Sequence, residues 1–268
     1  MKRGCGIFFY LLLLVGVAAP GLAYDNSPSN WKILPEVIWA PATGGGTWMT
    51  EVQIIDMEGT GTQVSVMFYH TAGQRGPFTL WTSPASWSSQ TYSNILSTLQ
   101  GLDPSFFYFG RVGALVFSTQ SSANKIHVTA KTSNGNYAKT YPGLNNVQSN
   151  RVDIGVTEMI IPNVSNNAEY RTSIGYVKLS SAAAGMSFHI YDSTGTLVGS
   201  ATYSLPADPQ YRSYNPFTLC GLPYPTYSFS NCWIRIALWS DGTAVFPFGA
   251  IANNTTNDPS AIIAVQRY

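Results

Sequence analysis

Within Thr47–Asp56 the residues Trp48, Val52 and Ile54 share one face of an extended chain while Glu51 and Gln53 point the other way, the period-two alternation of a strand with one buried side. Val64, Val66 and Phe68 repeat the pattern with Gln63 and Ser65 outward, and Lys125–Ala130 alternates again. Val112–Phe117 is more continuously apolar, which predicts a central strand. Turn residues punctuate these runs at Pro41–Gly46, Glu58–Gly61, Ala72-Gly73 and Ser133–Gly135. The first half is therefore predicted to hold strands at about 33–40, 47–56, 63–70, 77–82, 111–118 and 125–131. Helical periodicity is confined to a turn or two at Ile95–Leu102.

The same pattern returns 122 positions later. Trp48, Thr50, Val52 and Ile54 correspond to Tyr170, Thr172, Ile174 and Tyr176, and Val64, Val66, Phe68 and Tyr69 to Met186, Phe188, Ile190 and Tyr191. Glu158–Ile161 answers Glu36–Trp39, Gly195 falls on Gly73, and Ile234, Ile236 and Leu238 fall on Val112, Ala114 and Val116. Identity is low; the apolar spacing is what persists. The chain reads as an internal duplication, with Gly143–Asn150 as a polar boundary. Six or seven short antiparallel strands per copy, each with one apolar face to cover, predict an all-β protein of two tandem antiparallel β-sandwiches, residues 24–146 and 147–268. A closed barrel or one larger sandwich also satisfies the pattern.

Composition adds a compartment. Met1-Lys-Arg gives a positive start, Ile7–Val15 an apolar centre and Gly21-Leu-Ala23 small residues for cleavage, so residues 1–23 read as a signal peptide. The apolar run is shorter than the roughly 20 residues that span a bilayer, which argues against a retained anchor. Of 14 Lys and Arg, Lys2 and Arg3 leave with the signal, so 12 stand against 13 acidic residues. No basic cluster suited to a nucleic acid is visible. Of three cysteines Cys5 also leaves, and Cys220 with Cys232 is expected to form a disulfide in an oxidising compartment.

Ile161-Pro-Asn163, Tyr170-Arg-Thr172, Ile190–Gly199, Ser204-Leu-Pro206 and Phe248–Pro259 resemble a group of exported bacterial proteins with tandem immunoglobulin-like units. That group carries an aromatic-Arg-Thr strand, a Tyr-Asp-x-x-Gly turn and a closing Asn-x-Thr-x-Asp-Pro. The resemblance covers residues 158–266 well and is thinner in the first copy, where Met49 replaces the Arg and the closing motif shrinks to Lys131–Asn134. It implies fold and export, with no established activity.

Chemistry is sparse. His70, His127 and His189 lack neighbours at metal-ligand spacing, and no Gly-x-Ser-x-Gly elbow is present. Asn253–Asp258 gathers oxygen donors but lacks the spacing and glycine of a calcium loop, so a side-chain-capped turn before Pro259 is expected. Trp233, Arg235 and Trp239 alternate with Ile234, Ile236 and Leu238 and should share the opposite face of one strand. Open to water, that stripe is a platform for a sugar ring or a partner's side chain; covered by the Cys220–Pro225 loop or by the first domain, it is packing. Tyr211, Tyr214, Tyr224 and Tyr227 make the neighbouring segment aromatic as well. The expectation is a secreted, non-enzymatic protein for extracellular binding or surface structure, with a protein or glycan partner and no cofactor. Carbohydrate binding through Trp233, Arg235 and Trp239 is the alternative, and an unrecognised secreted hydrolase the third.

Overall fold

A computed structural model describes residues 25–267 apart from 43–44, 59–60, 136, 148–149, 156 and 240–243, so the expected signal peptide lies outside the described residues. The chain is all-β with antiparallel pairing. The first half contains β1 (Trp31–Pro41), β2 (Thr47–Asp56), β3 (Gln63–His70), β4 (Gly73–Thr82), β5 (Ser89–Tyr92), β6 (Arg111–Thr119), β7 (Ile126–Ser133) and β8 (Ala138–Pro142), with α1 (Ile95–Leu102) between β5 and β6. The second contains β9 (Glu158–Asn166), β10 (Tyr170–Lys178), β11 (Ala184–Tyr191), β12 (Leu197–Leu205), β13 (Gln210–Tyr214), α2 (Pro216–Leu219), β14 (Phe229–Leu238), β15 (Val245–Asn253), β16 (Pro259–Ile263) and β17 (Val265–Arg267).

In the first half β4-β3-β6-β1 form one layer and β5-β2-β7-β8 the other. Strand β1 joins them, pairing with β6 along Trp31–Trp39 and with β2 only over Trp39–Pro41. The second half has the sheets β12-β11-β14-β9-β17 and β13-β10-β15-β16, which follow the same order strand for strand. Even β17 has a counterpart, since Leu144 bridges Ile33 of β1 where Val265 pairs with Ile160 of β9. The spacing between equivalents is not constant. Val52 pairs with Tyr92 as Ile174 pairs with Tyr214, an offset of 122, whereas Ile54 pairs with Val128 but Tyr176 with Pro247, which lowers the offset to 119 at the later strand. The shift falls after Tyr92, where the four residues of α2 stand in place of the eight of α1. Helix α1 itself starts at Asn94, whose side chain accepts from Ser97 N at 3.2 Å, and buries Ile95, Leu96 and Leu99.

Each half has its own core between its two layers. Leu34, Val52, Ile54, Val66, Phe68, Phe117 and Val128 meet in the first, and Met159, Ile161, Tyr176, Phe188, Ile234 and Ile236 in the second. Each buried isoleucine or phenylalanine contributes about 1.5–3 kcal/mol by leaving water. A third cluster joins the halves: Ile33, Tyr69, Ala114 and Val116 pack against Val177, Tyr211, Phe246 and Phe248. The molecule therefore stacks as four layers, with β3, β6 and β1 of the first half against β10, β13 and β15 of the second in the middle.

This stacking explains the continuous apolar run of β6 and corrects one equivalence. Leu115 and Phe117 face the first core, while Ala114 and Val116 face the second half, so they do not play the part of Ile234 and Ile236. It also changes the expected boundary. Within Gly143–Asn150, Leu144, Asn145 and Asn150 are buried rather than forming an open linker. Asn145 Nδ2 donates to Asp25 Oδ1 at 2.9 Å, and Asn150 Nδ2 donates to the Asp25 carbonyl at 2.7 Å. Among the described residues no helix is long and apolar enough to cross a membrane.

Candidate functional site

The first unit packs on the far sheet of the second, which leaves the outer face of β12-β11-β14-β9-β17 uncovered by it. The alternation of β14 sends Ile234, Ile236 and Leu238 into the core and places Trp233 and Arg235 on that outer face. Trp233 pairs with Tyr191 of β11, and their rings stack at 4.1 Å and 9°. Arg235 lies between His189 of β11 and Ile160 of β9. Its Nη1 is 3.9 Å from Oε1 of Glu158, whose Oε2 accepts from Arg267 Nη1 at 2.8 Å. Burial and then the Arg235 charge hold His189 below the usual histidine range, partly offset by Glu158. His189 is half-buried on this face.

Trp239 continues the face one step past the end of β14, its N–H donating to the Gly185 carbonyl at 3.0 Å. The indole lies against Gly185, where an added Cβ would come within 2.2 Å of the ring, and 58% of the residue remains exposed. Trp233 and Trp239 are six positions apart, about 20 Å along an extended strand. The loop after α2 does not close this face: Leu219, Cys220 and Leu222 turn their apolar atoms into the second core, and Tyr224 and Tyr227 are exposed. The structure thus brings Trp233 and Arg235 together with Tyr191, His189 and Glu158, and puts Trp239 at the far end. Tyr191 and His189 were not legible as site residues, because the signal that places them is the adjacency of β11 and β14.

The expected Cys220–Cys232 disulfide is corrected: both thiols are free. Cys232 sits on the inner face of β14 with Sγ 3.9 Å from the Ser230 carbonyl, and Cys220 caps α2 beside Gly199. Burial raises both thiols to about 11, with the Asp192 charge adding to the effect at Cys232. The Asn253–Asp258 turn is capped by its own side chains: Asn253 Oδ1 accepts from Thr255 N at 2.8 Å and Thr256 N at 2.9 Å. Its remaining amide oxygens face a protein cation, since Arg171 donates to Asn254 Oδ1 at 3.1 Å and to Asn257 Oδ1 at 2.9 Å. The Asp192–Gly195 turn is similarly self-capped, Asp192 Oδ1 accepting from Thr194 and Thr196 N–H while Gly195 takes φ 86°.

A second feature lies where the halves meet. A cleft of about 250 Å³ is lined by Glu36, Trp48 and Lys139 of the first half and Arg171, Ser173 and Ser213 of the second. Glu36 and Lys139 form a buried ion pair, and Tyr211 Oη donates to Glu36 Oε1 at 3.3 Å. Burial first, and Glu36 next, push the Tyr211 hydroxyl well above the usual phenol range. The sequence offered no sign of this cleft, whose walls come from strands far apart in the chain. No protein-family model, curated protein or solved structure matches the chain.

Proposed function

We propose that this is an exported, non-catalytic binding protein built from two duplicated immunoglobulin-like units, which holds a carbohydrate against the outer face of β12-β11-β14-β9-β17. The observation that carries the reading is Trp239, a large indole left more than half exposed on the same face as the Tyr191–Trp233 stack and Arg235. An exposed indole pinned to a sheet loses little conformational freedom when a ligand lands on it. The C–H face of a pyranose is apolar and faintly positive, which suits the negative face of the ring, and Arg235 supplies donors to hydroxyls between the two indoles. Glu158 is engaged by Arg235 and Arg267, so its role here is to position cations rather than to move protons. The leader-like N-terminus and the resemblance to exported proteins support the extracellular setting.

The test is affinity electrophoresis and a glycan array with the mature chain, its Trp239→Ala variant and its Trp233→Ala variant. The reading expects one glycan class to be retained by the native protein, with about tenfold or greater weakening in Trp239→Ala at unchanged melting temperature. Failure to retain any glycan, or equal retention by Trp239→Ala, rejects it.

A further inference from the structure

The cleft between the halves has an electrostatic character of its own. At its floor the Glu36 and Lys139 charges cancel as a buried pair, with side-chain exposures of 9% and 6%. At its rim Arg171 is exposed, and among the described residues no carboxylate lies within ion-pairing distance of it. Its guanidinium is nonetheless fixed in place, one η-nitrogen bonded to Asn254 Oδ1 at 3.1 Å and the other to Asn257 Oδ1 at 2.9 Å. Both acceptors are neutral amides, so they set the orientation of the fork without consuming its charge. A guanidinium has five N–H donors, and these two bonds leave three for a ligand. Trp48 contributes an indole to the wall, and Ser173 and Ser213 contribute hydroxyls that can donate or accept.

We propose that this cleft binds an acidic sugar, a uronate residue of an extracellular polysaccharide, with its carboxylate on Arg171 and its ring against Trp48. A single unneutralised guanidinium matches a monoanion, and its planar fork matches a carboxylate in particular. A cleft of about 250 Å³ has room for a single sugar ring. Ser173, Ser213 and the outer edge of the Glu36–Lys139 pair offer both donors and acceptors, as vicinal hydroxyls require. This site is built on β1, β2, β8, β10 and β13 and is separate from the Trp239 face, so each stands or falls without the other.

The experiment is calorimetric titration of the mature chain with oligogalacturonate and oligoglucuronate, and with the matching neutral galactose and glucose oligomers. Sulfated sugars and a short peptide ending in a free carboxylate complete the set. The expected result is saturable uronate binding that weakens with added salt, little binding of the neutral oligomers, and a loss of about tenfold or more in Arg171→Gln. Arg171 also braces the 253–258 turn, so Arg171→Lys is titrated alongside with melting temperatures measured for both variants. A charge role predicts that Arg171→Lys keeps the preference for uronate over neutral sugar, and that Trp48→Ala weakens binding without removing that preference. The inference is overturned by absence of uronate binding, by equal binding of neutral oligomers, by tighter binding of the sulfated sugars or the peptide, or by unchanged uronate affinity in Arg171→Gln.

Discussion

The Tyr211 hydroxyl in β13 donates to Oε1 of Glu36 in β1 across 3.3 Å, a hydrogen bond from one half of the molecule to the other. Glu36 is also held by Lys139, and Tyr141 beside them donates to the Gly249 carbonyl at 3.1 Å. This network sits at the edge of the apolar cluster that joins the halves, where removing one partner strands the other in a site poor in water. Lys139→Met is expected to destabilise the protein by about 3–5 kcal/mol, because it leaves the Glu36 carboxylate buried and unpaired. The double variant Glu36→Leu/Lys139→Met should recover much of that loss, and Tyr211→Phe should cost only about 1.5–3 kcal/mol. Urea denaturation of the four proteins checks the order; a Lys139→Met protein as stable as Tyr211→Phe rejects it.

Gly185 tests the exposed indole without touching it. A Cβ there meets three atoms of the Trp239 ring, the nearest at 2.2 Å, so Gly185→Ala must push the indole off the sheet. The variant is expected to lose glycan retention to about the extent of Trp239→Ala, with a change in tryptophan emission and a modest stability cost of about 1–3 kcal/mol. Retention at the native level would show that the ring's seat on Gly185 does not matter.

Alternation carried most of the fold. The stretches 47–56 and 63–70 became β2 and β3 at the expected bounds, and the helical turn at Ile95–Leu102 is α1, because each has one apolar face and a clear stop on either side. The short strands β5 and β8 are not legible in the sequence: Ser89–Tyr92 and Ala138–Pro142 are short edge segments whose pairing is set by β2 and β7 rather than by their own pattern. The continuous apolar run of Val112–Phe117 marks a central strand, but a strand buried on both faces carries no alternation from which to read orientation, so the pattern alone does not show that Val112, Ala114 and Val116 face the second half. The Trp233–Trp239 stripe was legible for the opposite reason, since Ile234, Ile236 and Leu238 fix which side is inner. The cleft depends on how two units stack, and no local pattern encodes that.

The thiols offer a direct check on the correction at Cys220 and Cys232. Burial raises both to about 11, so at pH 8 only about one in a thousand of each is thiolate. Folded protein should react with iodoacetamide far more slowly than a small thiol, and both residues should label rapidly in guanidinium. Mass spectrometry after labelling measures this. Failure to label in guanidinium without a reductant would mean the sulfurs are joined.

Two buried lysines give the stability an alkaline signature. Lys32 in β1 is fully buried, its Nζ donating to the carbonyls of Asn26, Ser27 and Gly143, and Lys178 in β10 donates to those of Ser180, Ala207 and Asp208. Burial lowers Lys32 to about 8 against the opposing pull of Asp25, and lowers Lys178 against that of Asp208. At these two lysines the unfolded chain therefore binds more protons than the folded one from about pH 8 to the ordinary lysine range near 10.4, and their contribution to stability rises with pH there, by up to about 1.4 kcal/mol per unit for each proton. Cys220, Cys232 and the buried Tyr141 and Tyr211 have the opposite sign: their folded values are raised, so the unfolded chain ionises first and stability falls above about pH 9 to 10. Burial keeps His127, beside Lys32, and the other two histidines below their usual range, so they are neutral throughout. Urea midpoints taken from pH 7.5 to 10.5 are expected to climb to a maximum near pH 9 and then drop. Lys32→Met should be less stable overall, for want of its three carbonyl contacts, and should climb less steeply; parallel profiles for the two proteins would rule out a proton released from Lys32.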